Sequence, residues 1–249
     1  MRAARPWSAR ARCGALGRMT PWVLRMQWLD LCFMHWPVPP ALVQATLPPG
    51  VEVDTRDGQA YVGVVPFRMA DVAPRLVPAV PGLSAFPELN LRTYVRVNGE
   101  SGVWFYSLDV TQPLAAALAR TFFHLPYRQA RMWVDRQGGV TRYASVRTDL
   151  RTGPGAFAGA YRPVGPPLSP APDSLEAWLT DRLRLFSADP AGRVYRGQIH
   201  HRPWPLRRAQ AEIRVNTLGA AQHFDLSGAP HLLHAGRLDV TAWWLERVR

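Results

Sequence analysis

A short stretch of the chain concentrates polar side chains of the types that bind ligands and exchange protons. Residues 88–97 (ELNLRTYVRV) and 103–110 (VWFYSLDV) are rich in β-branched and aromatic residues and flank the glycine-containing NGESG, which predicts a β-hairpin. Successive side chains of a strand point to opposite faces. A two-residue loop then puts Leu91, Thr93 and Val95 on one face with Trp104, Tyr106 and Leu108. The opposite face carries Glu88, Asn90, Arg92, Ser107 and Asp109.

The predicted polar face has the chemistry of a small-molecule site. Glu88 is the candidate acid, base or anchor, and Arg92 would pair with a ligand carboxylate or orient Glu88 by charge-assisted hydrogen bonds. Asn90, Ser107 and Asp109 would complete the polar wall. An apolar cavity would raise the pKa of Glu88 unless Arg92 offsets the effect. The alternative is that this face is simply the solvated side of an antiparallel sheet, and both interpretations stay open.

The histidines and cysteines predict neither a metal site nor a bound cofactor. His200 and His201 lie in GQIHHRPWPL, and neighbours on a strand point to opposite faces, so we take His201 alone as a candidate ligand-binding residue. His231 and His234 have a metal-compatible spacing on a helix, but no metal-binding motif accompanies them. Cys13 and Cys32 form neither a disulfide framework nor a zinc cluster. The chain also lacks a nucleophile elbow and a phosphate-binding loop.

Composition predicts one β-rich cytoplasmic domain behind a basic leader. All 30 basic residues are arginine, the net charge is +12, and lysine is absent. Six arginines precede the first acidic residue, Asp30, so the remainder carries 24 basic against 18 acidic residues, or +6. We interpret residues 1–25 as a disordered leader or a misassigned start, although an arginine-rich, acid-free segment is also typical of transit peptides. Residues 26–249 form the predicted single domain, with no membrane segment and no expected nucleic-acid partner beyond a weaker hypothesis for the leader.

The pattern of elements favours a mixed antiparallel barrel or sandwich, a β-rich α+β fold with a few peripheral helices. We expect helices after Pro39-Pro40, from Pro113 and over 175–186, and long loops at 70–87 and 153–172. A second hairpin is predicted over 127–147. The other predicted strands are 59–67, 194–202, 208–217 and 237–247, which makes eight or nine strands in all.

Several segments together resemble one family. They are residues 26–69 (MQWLDLCFMHWPVPPALVQATLPPGVEVDTRDGQAYVGVVPFRM), residues 83–110 (LSAFPELNLRTYVRVNGESGVWFYSLDV), SLEAWLTDRLRLF, GQIHHRPWPLRRAQAEI and HLLHAGRLDV. This combination resembles the YqjF-like family of uncharacterised bacterial proteins, a domain of unknown function within the acetoacetate decarboxylase-like superfamily. The resemblance implies a β-rich barrel or cone with helices outside and a cavity within.

The resemblance also implies where a catalytic centre would lie, and there the sequence departs from the superfamily. FPELN matches a decarboxylase segment that places Glu88 as a cavity glutamate. The nucleophilic lysine pair would fall near Gly102-Val103, but the chain has no lysine. Decarboxylation of a β-keto acid through an imine needs an amine, and arginine cannot replace it because its side chain stays protonated.

Two functional hypotheses follow. The first is a small-molecule cavity for an organic acid or carbonyl compound that does not use a lysine Schiff base. The second is a non-catalytic structural or binding module, with a homodimer left open, in which the polar residues form a satisfied network. The sequence does not decide whether the protein is an enzyme.

Overall fold

A computed structural model describes residues 20–149 and 151–249 of the chain. Most of the predicted leader therefore lies outside the described residues. Its last two residues, Leu24 and Arg25, already belong to the first strand and pair with Ala242 and Thr241. Within the described ranges, no helix is both long enough and apolar enough to span a bilayer.

Thirteen strands and three short α-helices make up the described part of the chain. The strands are β1 (Leu24–Val38), β2 (Glu52–Val53), β3 (Ala60–Pro74), β4 (Phe86–Val97), β5 (Glu100–Val110), β6 (Tyr127–Gln137), β7 (Val140–Arg147), β8 (Ala156–Pro167), β9 (Arg184–Ala188), β10 (Val194–His201), β11 (Leu206–Asn216), β12 (His231–Ala242) and β13 (Glu246–Arg247). The helices are α1 (Pro40–Gln44), α2 (Pro113–Phe123) and α3 (Leu175–Thr180), with one 3₁₀ turn at Ala220–Gln222.

The strand pairings close the sheet into two rings that share five strands. The first ring runs β5-β6-β7-β8-β11-β12-β1-β3-β4 and closes through the β4–β5 hairpin. The second runs β5-β9-β10-β12-β1-β3-β4, because β9 pairs with β5 and β10 pairs with β12. Each of the shared strands therefore has one face toward the first ring and the opposite face toward the second ring. These strands are β12, β1, β3, β4 and β5.

Alternation along the shared strands divides the core in two. Leu89 and Leu91 of β4 pack in the first ring with the buried rings of Tyr143 and Phe157. Phe86 of the same strand packs on the other side, in a cluster that includes Trp204. Because both faces of these strands are covered, polar side chains on either face are withdrawn from water. Glu88, Asn90, Ser107 and Asp109 are all buried, so they do not form the solvated side of an antiparallel sheet.

The structure confirms the two predicted hairpins and the helix from Pro113, and it corrects several other predictions. The described residues form thirteen strands where eight or nine were predicted, and β1 was not among those predicted. Residues 70–74 continue β3 instead of forming a loop, and the predicted loop at 153–172 contains β8. The predicted helix over 175–186 ends at Thr180, and β9 follows. In each case the sequence signal is local, either composition or helical spacing, whereas the strand is stabilised by ladder hydrogen bonds to a distant partner, such as those between β8 and β11.

Candidate functional site

The second ring encloses a cavity of about 460 Å³. All seven of its strands contribute side chains to the wall, and α2, the 75–85 loop and the segment after α3 complete it. The polar residues of the lining are Glu88, Arg92, Tyr127, Thr180 and Arg182, together with Ser84, Gln112 and Arg184. The rest of the wall is mostly hydrocarbon, including Trp28, Phe86, Phe105, Leu108 and Trp204. A volume in this range, roughly 300–1,000 Å³, is typical of small-molecule sites.

Glu88 is a carboxyl group held in apolar surroundings. Glu88 is only 3 % exposed to solvent, and the Tyr127 hydroxyl donates a hydrogen bond to its Oε2 over 3.2 Å. Burial raises the pKa of Glu88 to about 8, because the hydrogen bond from Tyr127 only partly compensates for the lost hydration. The carboxyl group is therefore largely protonated at neutral pH and can donate as well as accept a hydrogen bond.

Arg92 brings a cation to the same cavity. Its guanidinium lies 5.2 Å from the ring centre of Phe33 and 5.7 Å from that of Tyr94, and Nη2 donates to the Tyr94 hydroxyl over 3.3 Å. Its Nε is buried, and none of the residues that the structure describes accepts a hydrogen bond from it. No carboxylate of residues 20–149 or 151–249 lies within 4.0 Å of this guanidinium. Its positive charge is thus not neutralised by a neighbouring side chain that the structure describes.

Tyr94 connects Arg92 to β1 and to α3 by hydrogen bonds. Its fully buried hydroxyl donates to the Leu179 carbonyl over 2.7 Å and lies 2.6 Å from Nε2 of His35. Because that hydroxyl proton goes to the carbonyl, Nε2 of His35 must be the protonated ring nitrogen. Burial and the nearby Arg92 charge hold the pKa of His35 well below its usual range, which agrees with a neutral imidazole.

Two further lining residues carry unused donors. Arg182 is bound to Asp54 over 2.7 Å and to the Trp178 carbonyl over 2.7 Å, but its buried Nη2 has no hydrogen-bond partner in the part of the chain that the structure describes. The same holds, over those residues, for the buried indole nitrogen of Trp28. Together with Nε of Arg92, three cavity residues hold N–H groups that are short of acceptors, and such groups are costly to leave unsatisfied.

Ser107 and Asp109 do not share a face with Glu88, and this prediction was wrong. The hairpin register is as predicted from the Asn98-Gly99 turn to the Arg92–Phe105 pair, but the next pair is Leu91 with Ser107. Tyr106 is therefore an extra residue, a β-bulge that reverses the faces beyond it. Ser107 and Asp109 point into the first ring, on the side of Leu89 and Leu91.

Arg147 satisfies these two displaced side chains. It donates to Ser107 Oγ over 2.9 Å and lies 3.0 Å from an Asp109 oxygen. Burial raises the pKa of Asp109 to about 6, since desolvation outweighs the attraction of Arg147, so the carboxylate stays ionised at neutral pH. The contacts describe a closed structural ion pair separate from the cavity.

Asn90 and His201, two other predicted site residues, are not part of the cavity wall. Asn90 shares the Glu88 face of β4 and is buried, and no described residue donates a hydrogen bond to its Oδ1. His201 packs 4.8 Å from Trp204, and its Nδ1 lies 2.7 Å from the Arg202 carbonyl. It borders a separate open groove of about 950 Å³ together with Arg25, Arg202 and Arg237.

The other candidate chemistry falls on separate elements. His231 and His234 lie on strand β12, not on a helix, so their side chains point to opposite faces. Cys32 is fully buried and burial raises the pKa of its thiol far above the usual range. Cys13 lies outside the described residues. Across residues 20–149 and 151–249, no three His, Cys, Asp or Glu side chains are grouped in a way that could hold a metal ion.

Sequence reasoning missed Tyr127, Arg182 and Trp28 as site residues. They come from β6, the segment after α3 and β1, and only ring closure brings them beside Glu88. A lone aromatic residue or arginine in such segments carries no local signal that distinguishes it from an ordinary core or surface residue.

The fold is that of the acetoacetate decarboxylase-like proteins. An acetoacetate decarboxylase-like enzyme from Sphingomonas wittichii RW1 matches with a TM-score of 0.67 at 13 % identity, covering 92 % of this chain and 94 % of that one. Acetoacetate decarboxylase from Legionella pneumophila matches with a TM-score of 0.62 at 14 % identity, covering 99 % and 98 %. Identities this low establish the fold alone.

The family follows from sequence. Residues 25–239 match the DUF2071 family, described as an uncharacterized conserved protein. The protein YqjF of Bacillus subtilis (strain 168), also described as uncharacterized, is 43 % identical over 227 residues, covering 91 % of this chain and 93 % of that protein. The chain belongs to the DUF2071 family, which confirms the resemblance stated from its sequence segments.

Proposed function

We propose that the cavity of the second ring binds a small organic acid or carbonyl compound. The observation that carries this proposal is the juxtaposition of an unneutralised guanidinium, Arg92, and a buried carboxyl group, Glu88, in the wall of one apolar cavity. Arginine is the side chain best suited to a ligand carboxylate. A structural neighbour, MppR, which matches with a TM-score of 0.61, was solved in complex with pyruvate, and that precedent supports the same ligand class here.

In this proposal Glu88 acts as acid or base and Arg92 as anchor. A carboxyl group whose pKa is about 8 is poised to give a proton to a ligand oxygen and to take it back near neutral pH. Tyr127 holds one oxygen of Glu88 and leaves the other for the ligand. Asn90, Ser107, Asp109 and His201 are left out of this assignment, since their contacts lie outside the cavity or within the first ring.

The chemistry proposed for this cavity does not use an enzyme-linked imine. Val103, where the family resemblance implies a lysine pair, lines the cavity with a hydrocarbon side chain. With no lysine in the chain, a carbonyl ligand would be activated by hydrogen bonding and by the Arg92 charge.

A thermal-shift screen of organic acids and carbonyl compounds tests the proposal. Any ligand that binds only the folded protein raises its melting temperature, and we expect hits whose shift is lost in Arg92→Met and reduced in Glu88→Gln. Arg162→Met, which removes an exposed arginine of β8, is the matched control and should keep the full shift. Ligands that stabilise all variants equally would count against this site.

A further inference from the structure

The cavity lining has an unneutralised cation, Arg92, in buried surroundings and a mostly hydrocarbon wall elsewhere, and this contrast indicates what occupies it. We propose that the ligand is a hydrophobic monocarboxylate, an alkyl or aryl chain that ends in a single carboxylate, bound with the carboxylate at Arg92 and the chain directed to the cavity mouth. This inference rests on the proposed function and narrows it.

The surroundings of Arg92 are buried. The guanidinium groups of Arg92 and Arg182 lie 5.7 Å and 5.1 Å from the ring centre of Tyr94, a residue with no exposed surface. Arg92 also lies over Phe33, which contacts Trp204 edge-on, and Trp204 stacks on Trp28. The guanidinium groups of Arg92 and Arg182 therefore lie together against buried aromatic rings.

The mouth is identified by exposure. Five apolar lining residues from the 75–85 loop and α2 are each about half exposed to solvent. They are Val77, Val80, Leu83, Leu114 and Phe122. Less exposed apolar residues of the same wall are Met69, Val72, Phe86, Leu108 and Phe123. An acyl or aryl chain laid along this wall would remove its hydrocarbon surface from water, which is the dominant source of affinity for such ligands.

The charges fit one anion rather than two. Arg182 is neutralised by Asp54, and Arg184 lies 3.6 Å from Glu100. Arg92 therefore supplies the one cation of the described lining that has no carboxylate partner within 4.0 Å. A second ligand carboxylate would have to lie against the hydrocarbon wall, where an unpaired charge is costly.

Calorimetric titration of the full chain with a homologous series tests the inference. Butyrate, hexanoate and octanoate should bind progressively more tightly, by roughly fourfold for each methylene that leaves water. Suberate, which has the length of octanoate and a second carboxylate, should bind much more weakly than octanoate. Octanamide, which lacks the charge, should also bind more weakly, on the order of ten- to a hundredfold.

Variants separate this inference from the function on which it rests. Arg92→Met should remove the preference for octanoate over octanamide, and the control Arg162→Met should keep it. Ala119→Trp, which fills the cavity from α2, should abolish octanoate binding and spare butyrate, provided that its melting temperature shows an intact fold. The acid series on the unmodified chain does not depend on that variant.

The failures are distinguishable. If butyrate, acetoacetate or suberate binds as tightly as octanoate and still requires Arg92, the inference is overturned and the proposed function stands. If octanamide binds as tightly as octanoate, the anionic anchor is overturned. If no acid or carbonyl compound binds, or binding is indifferent to Arg92→Met, both the inference and the proposed function fail.

Discussion

Glu88 and Arg92 lie on the same face of β4, but the surroundings of the two side chains differ. Arginine side chains stay protonated, and the guanidinium of Arg92 lies against two aromatic rings. Among residues 20–149 and 151–249, no cation lies within ion-pair distance of Glu88, and its side chain accepts a hydrogen bond from one neutral donor, Tyr127. Hydration is lost without full replacement, so the neutral form is favoured. The pair thus offers one charge and one exchangeable proton to the same cavity.

The raised pKa of Glu88 has a definite consequence for stability. The folded protein keeps the carboxyl group protonated up to about pH 8, whereas the ordinary value is 4.5. Between these values the unfolded chain is ionised and the folded chain is not, so the free energy of unfolding falls as pH rises. Glu88→Gln removes this dependence. We therefore expect the free energy of unfolding of the variant, minus that of the unmodified chain, to increase by up to about 1.4 kcal/mol for each pH unit across this window.

Urea denaturation at about pH 5, 6, 7 and 8 measures that difference between variant and unmodified chain. Glu212→Gln, which removes a carboxylate from an exposed position of β11, is the control, and its difference should stay flat with pH. A difference for Glu88→Gln that is equally flat would show that Glu88 is ionised in the folded protein.

Among the elements, the β4–β5 hairpin illustrates what sequence can and cannot predict. Its turn, its strands and the register next to the turn followed from the pattern of residues. The bulge at Tyr106 did not, because both faces of β5 are buried between the two rings and no polar–apolar alternation marks the extra residue. The faces of Ser107 and Asp109 were consequently assigned wrongly, while those of Glu88 and Arg92 were assigned together correctly.

Strand β8 was missed for a related reason. It is rich in Gly, Ala and Pro, a composition that predicts a loop. In the sheet these small residues allow β11 to approach closely: a Cβ on Gly159 would lie 2.7 Å from the Glu212 carbonyl oxygen. The reason for the composition is a neighbour fifty residues away in the chain, and a local pattern does not contain that information.

The hairpin turn provides a test at the scale of the element. Asn98 and Gly99 have φ values of 52° and 79°, the left-handed conformation that a tight hairpin requires. Gly99→Ala has room for its methyl group but strains the backbone, so we expect a loss of about 1 kcal/mol in the free energy of unfolding. Gly228→Ala, which is equally unobstructed and has no positive φ, should be neutral or slightly stabilising. Equal effects for the two variants in urea denaturation would contradict the turn geometry.

For the molecule as a whole, the packed core of the first ring and the cavity of the second ring lie on opposite faces of the shared strands. The first ring is filled by its core and by the Asp109–Arg147 pair, while the second keeps an open cavity. The shared strands give each ring its own wall, so we expect substitutions on the cavity side to leave the packing of the first ring intact.

That separation predicts that an amine can be placed in the cavity. Val103 lines the cavity and is buried, and Val103→Lys would set an ammonium group near Arg92 in apolar surroundings, where its pKa falls. We expect this variant to condense with pyruvate or acetoacetate and to be trapped by cyanoborohydride as a mass increase mapped to position 103, apart from labelling at the N-terminal amine. Arg162→Lys, a solvated amine on β8, should label much more slowly, and Arg92→Met combined with Val103→Lys should lose part of the advantage. A folded Val103→Lys variant that labels no faster than Arg162→Lys would show that position 103 does not face a cavity that admits organic acids.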